Sequence, residues 1–334
     1  MDYVLIWAGL MAFAVFAYVV LDGFDLGIGL LFPLLKRPED KATAMNTIAP
    51  FWDGNETWLV LGGGGLYATF PLAFAIIMPA LYVPLILMLL ALIFRGVAFE
   101  FRWRAETARG QRRWDLGFTL GSFLASFTQG VALGALVQGI EVADRAYAGG
   151  WWDWLTPFTL TTGLAVVIGY ALLGACWLIY KTENGLQQFS RQAAWVLTWL
   201  LGLMIAVVSV WMLFKQDPYM NRWFTYPNYW YLSPVPLLVL VLGLYLLKMI
   251  RSGGELSPFL SVIGLFFLSY FGLCISFYPQ IVPPSVSIWQ AASPESSLKF
   301  LLVGAGVLIP VIIAYSAYSY WVFRGKVNEH DAYH

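Results

Sequence analysis

The chain alternates long uncharged stretches with short charged ones. Residues 5–21, 57–94, 116–140, 154–180, 192–214, 223–247, 256–294 and 300–323 contain no Asp, Glu, Lys or Arg. A helix crosses the hydrocarbon core of a bilayer with about 20 apolar residues. The stretch 57–94, at 38 residues, is too long for one crossing, and "YATFPLAF" supplies a turn near Phe70 and Pro71 that divides it. The stretch 256–294 is apolar only to about Tyr278, after which "PQIVPPSVSIWQAASPESS" reads as a proline-rich loop. The pattern predicts an all-α integral membrane protein of nine transmembrane helices, at about 4–35, 51–69, 71–98, 115–140, 157–181, 192–215, 232–251, 256–278 and 298–323. The whole of 1–334 forms a single membrane domain in this reading. The strict alternation of an outer-membrane barrel is absent. The first stretch lacks the basic start and small-residue cleavage site of a signal peptide and runs on into "LGIGLLF", so it reads as a retained helix.

Composition narrows the class. Of 334 residues 60% are apolar and only 11% charged, against roughly 25% charged in soluble domains. That leaves no room for a separate soluble domain. The net charge is zero, and no basic patch interleaved with aromatics points to nucleic acid.

The charges that remain are unevenly placed. Lys36, Arg37, Lys41, Arg95, Arg102, Arg104, Arg109, Arg112, Arg113, Lys181, Arg191, Lys248, Arg251, Arg324 and Lys326 fall on one set of loops, fifteen in all, and Arg145, Lys215, Arg222 and Lys299 on the other. By the positive-inside rule the N-terminus is periplasmic and the C-terminus cytoplasmic, as an odd number of crossings requires. The outer loops "WWDWLTPF" and "NRWFTYPNYWYLSP" are dense in Trp and Tyr. They read as an interfacial belt, or alternatively as a quinone or lipid-headgroup site.

Several chemistries are excluded or weak. The two histidines, His330 and His334, sit in the C-terminal tail, so no predicted helix offers an imidazole to a haem. Cys176 and Cys274 stand alone on separate apolar helices without zinc or redox spacing, and read as small buried hydrophobes. No metal site is expected. "LGGGG", with Gly62, Gly63, Gly64 and Gly65, lacks the Lys-Ser/Thr of a phosphate loop. Small residues in membrane helices let backbones approach, so these glycines, and Gly23 with Gly27, are assigned to helix packing.

What remains is acidic. Asp22 and Asp25 interrupt the first helix three residues apart, on one face. An Asp at a membrane helix centre costs about 2.5–3.5 kcal/mol on insertion scales, so the pair needs partners, water or protons. "APFWDGNETWLV" repeats the spacing with Asp53 and Glu56, where acids also suit a helix first turn. The assumed topology brings Asp53 near the first pair from the cytoplasmic side. In "FRGVAFEFRWR", most arginines read as positive-inside anchors with local ion pairing, and Glu100 is kept as a possible participant. Two readings stand: a protonatable, hydrated route from the cytoplasm through Asp22, Asp25, Asp53, Glu56 and Glu100, or a buried polar knot locking the first three helices.

"LDGFDLGIG", "IAPFWDGNETWLV" and "FRGVAFEFR", in that order, with "YPQIVPPS" before the last helix, closely resemble the second subunit of cytochrome bd-type quinol oxidases, nearest to the cyanide-insensitive branch. The likeness covers essentially the whole chain. It implies a non-haem membrane subunit of a terminal respiratory oxidase of the bacterial inner membrane, which oxidises quinol and reduces dioxygen to water. Haem b and haem d, or a third haem b, are then held by the partner subunit I. The second subunit stabilises that partner and lines a proton route, with Asp22, Asp25 and Asp53 along it. A small single-helix subunit and a structural ubiquinone, menaquinone or lipid are further expectations. The outer loop 215–232 is shorter than in longer family members, which puts contacts there in question. Intramembrane acids beside Gly- and Pro-interrupted helices also fit a proton-coupled transporter, although nine helices do not divide into two equal repeats. A purely structural assembly subunit is the third possibility.

Overall fold

The computed structural model describes residues 2–215 and 217–327. His330 and His334 lie outside the described residues. Fourteen helices follow in order. They are α1 (Tyr3–Leu31), α2 (Pro38–Asn46), α3 (Trp52–Thr69), α4 (Pro71–Ala80), α5 (Tyr82–Trp103), α6 (Ala108–Gln138), α7 (Pro157–Lys181), α8 (Asn184–Leu213), α9 (Asp217–Phe224), α10 (Asn228–Leu232), α11 (Pro234–Arg251), α12 (Leu256–Phe277), α13 (Ile288–Ala291) and α14 (Glu295–Val322). Among the described residues eight helices are long and apolar enough to cross a membrane: α1, α5, α6, α7, α8, α11, α12 and α14. Of the nine expected spans, α3 is the one outside that group. Its 18 residues include Asp53, Glu56 and four consecutive glycines, which lower its hydropathy.

The expected helix over 71–98 is two helices. Pro84 has no N–H to offer the carbonyl of Ala80, and Pro79 sits one turn earlier, so the chain breaks at Leu81 and α5 then runs on to Trp103. Four long helices begin at least five residues before the uncharged runs do: α3 at Trp52, α6 at Ala108, α8 at Asn184 and α14 at Glu295. The charged residues that precede those runs are as helical as the apolar remainder, and the Thr107 side chain caps α6 by accepting from the Gly110 N–H. Charge marks where lipid ends, not where helix ends.

The loops hold structure that apolar patterning does not reveal. Two small antiparallel hairpins break the all-helical pattern: β1 (Val142–Ala143) with β2 (Ala146–Tyr147), and β3 (Gln280–Val282) with β4 (Val286–Ser287). Asp144 and Arg145 both adopt positive φ, the backbone of a tight hairpin turn. The loop 215–232 contains α9 and α10.

α1 is the central helix, packed against α3, α6 and α7 and more lightly against α12 and α14. Its tightest crossing is with α7. A Cβ on Gly27 would collide with the Tyr170 carbonyl oxygen, and one on Gly174 would lie 2.5 Å from the Gly27 carbonyl carbon. Gly23 meets the Tyr170 ring in the same crossing. In "LGGGG" the four glycines divide: Gly65 faces Met11 on α1, Gly62 approaches Val15, and Gly63 and Gly64 have nothing within 4 Å. The close approach expected of the run is thus made by Gly65, and Gly63 and Gly64 leave a flat, open face on α3.

One end of the bundle gathers the basic residues and the other the aromatic ones. At the basic end Asp115 accepts from both Arg102 Nε (2.6 Å) and Lys41 Nζ (3.0 Å), joining α2, α5 and α6. At the opposite end Trp7 Nε1 donates to the Leu298 carbonyl and Tyr219 Oη to the Val137 carbonyl. Trp151, Trp152, Tyr226, Trp230 and Tyr231 are all exposed there, the placement of an interfacial belt.

Candidate polar site in the membrane core

Inside the basic half of the bundle, α1, α3 and α5 bring together side chains that the sequence holds more than 30 residues apart. Asp22 and Asp25 are fully buried on α1. Arg95 on α5 is 1% exposed and lies between them and Glu56. Its Nη1 donates to Asp22 Oδ1 (3.0 Å) and to Glu56 Oε1 (2.7 Å), and Nη2 stands 3.9 Å from Asp25 Oδ2. Packing sets this position. A Cβ on Gly121 of α6 would lie 2.8 Å from the Ala91 carbonyl and 3.0 Å from Arg95 Cβ, so only glycine lets α6 pack this closely on α5 at Arg95.

Asn55 completes the cluster. Its Nδ2 donates to Asp25 Oδ2 (2.8 Å) and to the Leu21 carbonyl (3.2 Å), while its Oδ1 accepts from Tyr320 Oη on α14 (2.9 Å). On the other flank Tyr18 approaches Asp22, the Gln129 amide donates to Tyr18 Oη (2.7 Å), and Tyr170 Oη donates to Gln129 Oε1 (2.7 Å). Five spanning helices and α3 thus converge on one polar core.

Charge within it does not balance by side chains alone. Three carboxylates face one guanidinium, and leaving charge buried without compensation costs several kcal/mol per ion. Protons on the carboxyl groups restore the balance, and water solvates the charge that remains. Asp22 Oδ2, Asp25 Oδ1 and Arg95 Nη2 are buried with no hydrogen-bond partner among the described residues, and groups of this kind commonly hold ordered water. The cluster is also graded in exposure. The Asp22 and Asp25 side chains are at 0%, Glu56 is 25% exposed, and Asp53, one turn nearer the basic end on the same face of α3, is exposed.

Some expected site residues fall elsewhere. Asp53 does not meet Asp22 or Asp25, because it stands a turn before Glu56 where α3 is exposed; Asn55 bonds Asp25 instead, and Glu56 shares Arg95 with Asp22. Glu100 lies on the exposed side of α5, away from the Arg95, Phe99 and Arg102 face, so the structure separates it from the cluster. Arg95 is no loop anchor but the central cation, and the basic loops lose one member of their count. Its depth was a usable signal: it stands two turns inside the C-terminal end of α5, and a cation is one of the partners two buried acids call for. Tyr320 gave no comparable signal, since one tyrosine among many on an apolar helix looks like belt or core.

The described residues do not fit a haem held by imidazole, because both histidines of the chain lie beyond them. They also contain no group of three or more His, Cys, Asp or Glu suited to a metal ion.

Comparison with known proteins places this architecture. Residues 3–323 match the family model described as cytochrome bd terminal oxidase subunit II. The chain is 30% identical over 362 residues to cytochrome bd-I ubiquinol oxidase subunit 2 of Escherichia coli K12, covering 98% of this chain and 95% of the relative. It is 27% identical to cytochrome bd ubiquinol oxidase subunit 2 of Bacillus subtilis 168, with 98% and 97% covered. In fold it matches a chain from the structure of bd oxidase from Geobacillus thermodenitrificans at a TM-score of 0.74 and 11% identity, covering 96% of this chain and 98% of that one. A family match over nearly every residue, on a bundle whose polar core is built from the motifs that carried the resemblance, makes this chain a member of the cytochrome bd terminal oxidase subunit II family.

Proposed function

We propose that the chain is the non-haem membrane subunit of a bacterial quinol:oxygen oxidoreductase, in which it buttresses a haem-bearing subunit I and carries protons inward from the cytoplasmic side. The observation that carries this reading is the graded acidic cluster, running from exposed Asp53 through Glu56 to buried Asp22 and Asp25 around Arg95. Dioxygen reduction consumes protons, and a membrane-embedded oxidase draws them through the low-dielectric core, where isolated charge is expensive. Carboxylates spaced along a hydrated seam accept and release protons in steps. Arg95 holds the buried members in place and offsets one negative charge.

The orientation belongs to the same reading. With α3 counted as a crossing, and α4 with α5 as one, the chain makes nine passes. The basic end faces the cytoplasm by the positive-inside rule, and Asp53 opens there. Quinol, the haems and a small single-helix subunit belong to the rest of the assembly. The haems reside in the partner, consistent with the donor set of this chain.

The test is turnover of the intact oxidase carrying Asp53→Asn or Asp25→Asn. Quinol-driven oxygen uptake and proton uptake should fall together, by about tenfold or more as for loss of a proton-transfer group, with haem content unchanged. Wild-type proton uptake in both variants would remove the route from this subunit.

A further inference from the structure

α14 is an unusual support for a polar site. Along its 28 residues only Leu298 and Ile309 are buried, and it touches α1 and α3 lightly. Its ends, however, are tied. Near the start, Trp7 Nε1 donates to the Leu298 carbonyl at 3.0 Å. Just beyond its end, buried Lys181 at the C-terminus of α7 donates through Nζ to the carbonyls of both Phe323 and Gly325. Val327 N–H donates to the Lys181 carbonyl (2.8 Å), Tyr180 Oη to the Arg324 carbonyl (3.3 Å), and Lys326 Nζ to Glu255 Oε1 (2.6 Å). The segment 323–327 is a strap fastened across α7 and the start of α12.

Tyr320 sits one turn before that strap. Its ring stacks on Phe51 at 4.3 Å and 2°, and meets Trp177 edge-on at 6.2 Å. Trp177 in turn stacks on Phe24 at 4.4 Å, and Phe24 lies between Asp22 and Asp25 in sequence. The rings leave the Tyr320 hydroxyl one described polar partner, Asn55 Oδ1. The Leu21 carbonyl can only accept, so it turns the Asn55 N–H groups toward itself and Asp25 Oδ2, and leaves Oδ1 for the Tyr320 hydroxyl.

We propose that Tyr320 is a positioning residue for Asp25, acting through Asn55, and that the Lys181-clamped strap sets its place. Tyr320 anchors the Oδ1 end of the Asn55 amide and so holds its Nδ2 against Asp25. Asn55 then occupies Asp25 Oδ2, leaving Oδ1, which has no hydrogen-bond partner among the described residues, as the oxygen that exchanges protons. The ionisable groups facing Asp25 are Asp22 on α1, Glu56 on α3, Arg95 on α5 and Tyr320 itself on α14, with Tyr18 and Tyr170 beyond them against Asp22. This inference rests on the proton-route reading above.

The experiment compares Tyr320→Phe, Lys181→Met, Lys181→Arg and Asp25→Asn in the intact oxidase, measuring quinol-driven oxygen uptake against pH together with haem content and melting temperature. Tyr320→Phe keeps the ring stack and removes only the hydroxyl. It should lower turnover about threefold to tenfold, the weight of one neutral hydrogen bond, and displace the pH profile, with haem content and melting unchanged. Lys181→Met should displace the profile in the same sense and Lys181→Arg should restore it. A Tyr320→Phe profile superimposable on wild type, or lower turnover without displacement, overturns the positioning role wherever Asp25→Asn lowers turnover. A Lys181→Met profile like wild type overturns the strap's part. Full turnover in Asp25→Asn would mean that the route itself is absent, and the positioning role falls with it.

Discussion

Arg95 shows what one side chain does when three acids share it. Its Nη1 serves Asp22 and Glu56 at once and Nη2 leans toward Asp25. Breaking a buried ion pair by deleting one partner costs about 3–5 kcal/mol, because the other is left uncompensated. Arg95→Met should therefore lower the melting temperature and yield of the purified complex sharply. Adding Asp22→Asn to Arg95→Met should recover part of that loss by removing a stranded charge. A double variant no more stable than the single would show that charge balance is not what holds the cluster. The acids themselves were legible in the sequence, since two Asp residues three apart in an apolar helix have few ordinary explanations. Their partners were not, because Asn55, Arg95 and Tyr320 each have a commonplace role that only contact geometry displaces.

Helix crossings divide sharply between those that admit no side chain and those that face outward. At the α1–α7 crossing, Gly27 and Gly174 meet backbone to backbone, and overpacking there forces the helices apart. Gly27→Leu should destabilise the chain by at least the 1–3 kcal/mol typical of added core volume, with loss of assembled oxidase on a native gel. Gly63→Ala on α3 meets nothing within this chain and should leave its own fold unchanged by circular dichroism and melting. The strap gives a pH-dependent contrast. The hydrogen bond from Lys326 holds the Glu255 carboxyl below its usual range. A depressed folded-state value adds stability above the unfolded carboxylate range and loses it as pH falls through the folded value. Exchange protection of the 323–327 amides, corrected for intrinsic rates, should accordingly drop on acidification through that range and also drop with added salt, since the pair is exposed. Protection indifferent to both would detach Lys326 from the strap. The small-residue spacing on α1 announced a packing face, whereas which glycines of "LGGGG" do the packing depended on where α1 passes.

At the scale of the whole molecule, the two ends of the bundle differ in chemistry, and the proposed orientation rests on that difference. Positive charge collects with Asp115 and the strap at one end, while both β-hairpins and the exposed rings of Trp151, Trp152, Tyr226, Trp230 and Tyr231 occupy the other. A single cysteine introduced at Gly149, on a background with Cys176 and Cys274 replaced, should react with a membrane-impermeant maleimide added outside intact cells. One introduced at Gln111 should react only after the inner membrane is opened. The reverse pattern would invert the topology and place Asp53 on the wrong side for cytoplasmic proton uptake.

The sequence by itself determined the class of this protein, the number and order of its apolar runs, and the family to which its motifs belong. Each is a one-dimensional property: hydropathy is summed along the chain, and a motif is a fixed string. Only the tertiary structure decided that Asp53 and Glu100 stand apart from the buried acids, that Arg95 is their shared cation, and that a tyrosine more than 260 residues away from Asn55 completes the set. Those outcomes turn on the rotation of each helix about its own axis. Packing at Gly27, Gly121 and Gly174 sets that rotation, and a linear pattern of apolar residues does not encode it.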